Sequence, residues 1–199
     1  MSSGSQVDKV LKKCNSLLFL LSRIKLYLPL SMRKMFFNSY ILPHLDYCCI
    51  IWGNCSKSLQ DRVIRFQKRA ARLILDKSID TPSADLFAEL RWMAFPERVK
   101  YQKAVLMYKT LHGQAPEYLA NSFTFNSDIH QRQLRSSSMP QLYTPRPRTE
   151  LFRKSFKYSG ANIWNSLPIH IRNSDSVTNF KSSYVQWYNQ VTFSETSVR

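Results

Sequence analysis

Within twelve positions, the stretch HLDYCCIIWGNC gathers His44, Asp46, Cys48, Cys49 and Cys55. These residue types ligate metals, or pair a nucleophile with its base. A structural zinc site needs four converging ligands, commonly in close pairs such as C-x₂-C or H-x₃-H. Here Cys48 and Cys49 are adjacent, so their side chains diverge on a helix or a strand alike. Cys55 lies six residues on, and His112, His130 and His170 stand far apart. No second half of a Cys–His nucleophile pair is identifiable. Asp46 lacks a catalytic partner and is expected to cap or pair with a neighbour. The stretch therefore reads as apolar packing with reduced, buried cysteines. Cys48 and Trp52, four apart, share the buried face if the segment is helical. No catalytic residue, metal ligand or cofactor is assigned.

The other chemistry is cationic. Arg62, Arg65, Arg69 and Arg72 recur at steps of three, four and three, with Lys68 close by. Leu59, Val63, Phe66, Ala70 and Leu73 repeat at the same period one residue later. On one helix, the arginines form a ridge about 100° around from an apolar stripe. Such a ridge suits phosphate contacts, or else it is a solvated face. A second basic surface follows from Arg132, Arg135, Arg146, Arg148, Arg153, Lys154 and Lys157, with Tyr143 placed to stack on an unpaired base. Its alternative is a disordered basic tail.

The elements that must carry these residues read as helices. Val7, Val10, Leu11, Cys14, Leu17, Leu18, Leu21, Ile24 and Leu28 form one stripe that Pro29 ends. A second helix is expected over 30–40, with Met32, Phe36 and Tyr40 sharing a face, before Pro43 permits a kink. Ser58 is placed to cap the arginine helix, with Asp61 in capping-box position. Thr81-Pro82 reads as a cap followed by proline at the first helical position, opening a helix through Leu90. Pro96 opens another, with Tyr101, Ala104, Val105, Tyr108 and Leu111 inside and Gly113 as its stop. Pro116 starts a brief helix. Residues 126–150 carry SSSMPQLYTPRPRTE and read as a basic, extended arm. Order returns with Phe152, Phe156, Ile163 and Trp164, and a last amphipathic helix begins near Val177 with Phe180, Tyr184, Trp187 and Tyr188 inward. Trp92, Trp164 and Trp187 are assigned to cores, not to base stacking. The fold class is mainly α: a thumb-like helical region over 1–78, further helices over 79–125, the arm over 126–150 and a helical segment over 151–199.

Composition bounds the partners. Twenty-nine Lys and Arg against thirteen Asp and Glu give the 199-residue chain a net charge of +16. A polyanion is the expected partner, nucleic acid before an anionic membrane. The run LLFLL is only five residues long before Arg23 and Lys25, too short for a signal segment or a membrane span. An intracellular, reducing compartment, cytoplasmic or nuclear, is expected, with no membrane association.

Several motifs together resemble one family. SYILPHLDYCCIIWG followed by LQDRVIRFQKRAARLIL is similar to the segment just after the palm of non-LTR (LINE-type) retrotransposon reverse transcriptases. There, an aromatic-ended helix and an arginine-rich helix belong to the thumb and the region beyond it. VLKKCNSLLFLLSRIKLYLPL resembles the lead-in, and SFKYSGANIWNSLP with FKSSY downstream resembles the closing block of the same polyproteins. The resemblance spans roughly residues 7 to 190. It implies a thumb that holds template and primer by the backbone. Polymerisation needs paired aspartates holding two metal ions. In the family these lie upstream of the matched segment, and no Asp-Asp pair occurs here. The chain is thus expected to be a non-catalytic carboxy-terminal remnant, beginning at Met1 after the catalytic part. It would bind RNA, single-stranded DNA or an RNA–DNA hybrid. The alternative is a protein-interaction or inert remnant that packs on a polymerase palm, joins an intact reverse transcriptase or self-associates.

Overall fold

The computed structural model describes residues 3–129 and 141–193. It is mainly α-helical. Among the described residues, β pairing is confined to one isolated antiparallel bridge between Phe125 and Leu142. No helix among them is long and apolar enough to cross a membrane. The chain divides into two compact units, Met1–Val99 and Lys100–Arg199.

In the first unit, α1 (Ser3–Ile24) buries Val7, Val10, Leu11, Cys14, Leu18 and Leu21, six members of the expected stripe. It packs against α5 (Lys57–Leu75), which buries Val63, Phe66, Gln67, Ala70, Ala71 and Ile74. Full burial of each larger aliphatic or aromatic side chain contributes about 1.5–3 kcal/mol. Gln67 is a polar residue in this core, and both ends of its amide are satisfied. Its Nε2 donates to the Met93 carbonyl (3.2 Å) and its Oε1 accepts from the Phe95 amide (2.8 Å). That clamp holds the chain between α6 (Ser83–Leu90) and α7 (Phe95–Leu111) against α5.

Several expected details differ. The segment after Pro29 is α2 (Leu30–Phe36), a π-helical turn at Phe37–Ile41 and α3 (Leu42–Asp46). Its buried residues are Phe37, Ile41 and Leu45, while Met32 and Tyr40 are exposed. Phe36 is half-buried against the core with its ring 4.9 Å from that of Tyr40, so these two do share a face at the edge of the buried row. Pro43 accounts for the turn that follows α2: in a regular α-helix its ring would strike the Ser39 carbonyl, and it has no N–H to donate. The chain widens instead, and the Leu42 amide bonds the Phe37 carbonyl across five residues. The cap of α5 is Ser56, without a side-chain capping bond, rather than Ser58 with Asp61. Pro82 precedes α6 as its cap, so the helix begins at Ser83, one position later than expected, and Thr81 lies outside it.

HLDYCCIIWGNC lies at the next corner. Cys48 takes a left-handed conformation (φ 51°) and is exposed, turning the chain into α4 (Cys49–Trp52). Cys49, not Cys48, is therefore buried with Trp52, whose ring stacks 4.9 Å from Phe95. A Cβ on Gly53 would press on the Cys49 carbonyl and lie 2.6 Å from Val99 Cγ2.

In the second unit, α7 is buried around most of its circumference, including Tyr101, Ala104, Val105, Met107 and Tyr108. Even Lys103 is buried, its Nζ donating to Ser159 Oγ at 3.0 Å. The helix ends as expected at Gly113 (φ 67°), with the Gln114 amide reaching back to the Lys109 carbonyl. Short helices follow: α8 (Glu117–Ala120), α9 (Asn126–Ile129), α10 (Glu150–Lys154), α11 (Phe156–Ser166) and α12 (Ile169–Arg172). The last is α13 (Val177–Phe193), with Phe180 and Tyr184 buried and Trp187 and Tyr188 half-buried.

The WNSLP stretch has a structural role. Trp164 and Leu167 are buried. The Asn165 side chain donates to the Leu142 carbonyl (2.8 Å) and accepts from its amide (2.9 Å). Pro168 caps α12. Leu142 is itself buried, so this part of the expected arm is anchored by its backbone.

Gly53 and Gly160, the latter buried in α11, give a graded prediction. Gly53→Ala should cost about 1–3 kcal/mol by overpacking against fixed backbone. Gly160→Ala should cost less, since its Cβ would meet the flexible Met107 thioether (2.8 Å). Urea unfolding of both variants checks the order, and equal costs would contradict it.

Candidate nucleic-acid interface

Packing α5 on α1 through their apolar stripes leaves the polar flanks of both helices side by side. Between them lies an open groove of about 670 Å³. Arg62, Arg65 and Arg69 line it from α5, and Lys12, Asn15 and Ser16 from α1, over a floor that includes Leu11 and Phe66. The arginine spacing repeats the helical period, so three guanidinium groups span about 10 Å along the axis.

Two of the three are held by α1. Arg62 donates to the Asp8 carboxylate at 2.6 Å, and Arg69 donates to Asn15 Oδ1. The Arg69 guanidinium also sits over the Phe66 ring, 5.8 Å from its centroid. Arg65 is exposed, and its Nε bonds the Asp61 carbonyl of its own helix (3.4 Å). Lys68 and Arg72, predicted members of the same ridge, do not line the groove. Arg72 donates to the Thr81 carbonyl at 3.3 Å and so ties α5 to the loop before α6.

The groove was only half visible in the sequence. Asp8, Lys12 and Asn15 lie 47 or more positions upstream of the arginines. Their own spacing of four and three beside the α1 stripe is the signal that could have found them.

The second predicted surface belongs to the other unit. Tyr143, Arg146, Arg148, Arg153, Lys154 and Lys157 are all exposed. Glu150 lies 3.8 Å from both Arg153 and Lys154, which partly offsets their charge. Arg132 and Arg135 lie outside the described residues.

The cysteine-rich stretch forms no comparable site. Among the described residues no group of three or more His, Cys, Asp or Glu is arranged to hold a metal ion. Asp46 pairs with Arg98, its two oxygens accepting from Nε (3.0 Å) and from the terminal nitrogen (2.6 Å). This bidentate, three-quarters-buried pair joins α3 to the start of α7. Burial pushes the Cys14 and Cys49 thiols up to about 12, with the Asp46 charge adding to the effect at Cys49. No protein-family model, curated protein or solved structure matches the chain.

The thiols are expected to separate in reactivity. Cys48 should be alkylated rapidly by a maleimide near neutral pH, while Cys14 and Cys49 stay protonated and unreactive until the unit opens. Because both folded values exceed the ordinary value of 9.0, stability should hold below about pH 9. Above it the unfolded thiols ionise first, and the fold loses stability as pH rises toward 12. Labelling read by peptide mass spectrometry, with urea midpoints across that range, checks both.

Proposed function

We propose that this chain binds the sugar–phosphate backbone of nucleic acid in the α1–α5 groove and performs no nucleotide chemistry itself. On this reading it corresponds to the thumb and post-thumb part of a LINE-type reverse transcriptase, the part that grips template and primer. The observation that carries the reading is the groove: Arg62, Arg65 and Arg69 line a concave, apolar-floored surface together with Lys12, Asn15 and the Asp8 carboxylate that holds Arg62. The net charge of +16 supplies the long-range attraction.

The geometry favours phosphate over base recognition. Guanidinium groups on a helix repeat along the axis and present forked donors that match phosphate oxygens. Phe66, the aromatic ring of the groove, is buried and already covered by Arg69, so it offers no face to a base. Affinity should therefore vary little with sequence. The exposed Tyr143 and its neighbouring cations in the second unit suit an additional contact with unpaired nucleotides.

Fluorescence anisotropy with labelled RNA, single-stranded DNA and RNA–DNA hybrid across a salt series tests this. Three arginine–phosphate contacts predict a slope of log affinity on log salt of about −2 to −3. Arg65→Glu with Arg69→Glu should weaken binding at least about tenfold for every sequence and flatten that slope by one to two. Neither position is buried, so circular dichroism should show the helix content kept. Unchanged affinity in this variant would remove the groove from the binding site.

A further inference from the structure

A second surface of the first unit is unlike the rest of the protein. Among the described residues, ten of the sixteen exposed large hydrophobic residues fall between Phe19 and Ile51, so the exposure is concentrated along the chain. The corner between α1 and α2 is its most prominent part. Phe19 and Leu20 leave the outer face of α1, Leu26 and Tyr27 stand 80% and 85% exposed on the 3₁₀ turn Lys25–Tyr27, and Leu30 opens α2. Two nearly bare apolar side chains on one turn leave apolar surface in water that burial by a partner would remove.

Charge selects the partner. No Asp or Glu occurs from Lys9 through Leu45. Exposed Arg23 lies at the corner, its guanidinium 4.9 Å over the Phe19 ring, while exposed Lys13 lies further back along α1 and half-buried Lys34 one turn beyond Leu30 on α2. Lys25 is already matched, its Nζ 2.6 Å from Asp76, so its charge is spent inside the unit. A second copy of the same corner would bring these cations against one another, which opposes self-association through it. We infer that the α1–α2 corner docks an acidic amphipathic helix of a partner protein, its apolar face on Leu26, Tyr27 and Phe19 and its carboxylates on Lys13, Arg23 and Lys34. Along α1, Arg23 stands one turn from Phe19, and Lys13 stands two turns before Leu20, so cations and apolar side chains share one flank of the helix. That is the spacing a second helix reads with its own i, i+4 and i+7 positions. The site is separate from the arginines of the groove and does not rest on the nucleic-acid reading.

The probe is a labelled helical peptide with leucines at i, i+3, i+4 and i+7 and glutamates on its flanks, followed by anisotropy against the full chain. Three controls accompany it: the same peptide with lysines for glutamates, an acidic peptide with its leucines scrambled, and vesicles of zwitterionic lipid with and without anionic lipid. The acidic amphipathic peptide should bind, and the charge-neutral Leu26→Ser with Tyr27→Ser should weaken it at least about tenfold, the loss typical of removing central apolar anchors. Both residues are so exposed that the fold and the nucleic-acid affinity should be kept in this variant. Arg65→Glu with Arg69→Glu should leave peptide binding unchanged; its loss would place the peptide in the groove and overturn the assignment. Equal binding of the scrambled acidic peptide would reduce the effect to net charge. Adsorption to anionic vesicles that the Leu26/Tyr27 variant abolishes, without peptide binding, would give the corner to a lipid surface. A wild-type dimer that the same variant dissociates would give it to a second copy.

Discussion

The first unit depends on one contact, the seating of α5 on α1. Ala70 and Ala71 are small, so the α5 backbone can come close, while Val63, Phe66 and Ile74 fill the space beside Val7, Leu11, Cys14 and Leu18. Once that seam is fixed, nothing else about the groove is free to vary. The arginines precede the buried positions by one residue, so closing the seam carries them to its edge. There Asp8 and Asn15, on the flank of the other helix, meet them. The cationic surface is a by-product of hydrophobic register.

The same seam explains the division of labour among the arginines. Those at the edge, Arg62 and Arg69, are pre-oriented by α1 side chains and give up little freedom on binding an anion. Both partners are exposed and polar, so exchange for phosphate oxygens leaves no buried group unsatisfied. Arg72 lies one turn further on, where the chain folds back, and it serves the loop before α6. Identical residues at identical spacing thus acquire different uses from what their helix passes on the way.

Much of this was legible in the sequence, and what was not has local causes. The stripes of α1 and α5, the stop at Gly113 and the inward face of α13 follow from a helical period that nothing interrupts. The buried row of Phe37, Ile41 and Leu45 was missed because adjacent apolar residues at 36 and 37 offer the helical period two neighbouring rows. Cys48 and Cys49 exchanged places because a left-handed residue breaks the periodicity at one position, and cysteine gives no warning of that conformation. The groove escaped because half of it comes from residues 54 positions upstream of their partners. In the second unit, nothing local marks Asn165 as the clamp on Leu142 across 23 positions.

The π turn at Phe37–Ile41 has a consequence for how such a chain can change over time. A turn of this kind holds one residue more than an α-helix would need, without rotating the helix on either side. The surplus residue and Pro43 are therefore linked: removing the residue alone would press the proline ring back onto the carbonyl four positions before it. Replacing the proline alone would leave a bulge with no reason to persist. Length and composition are coupled here, so the two changes are best tolerated together, and the Phe37, Ile41 and Leu45 face would survive the joint loss with its inward direction intact.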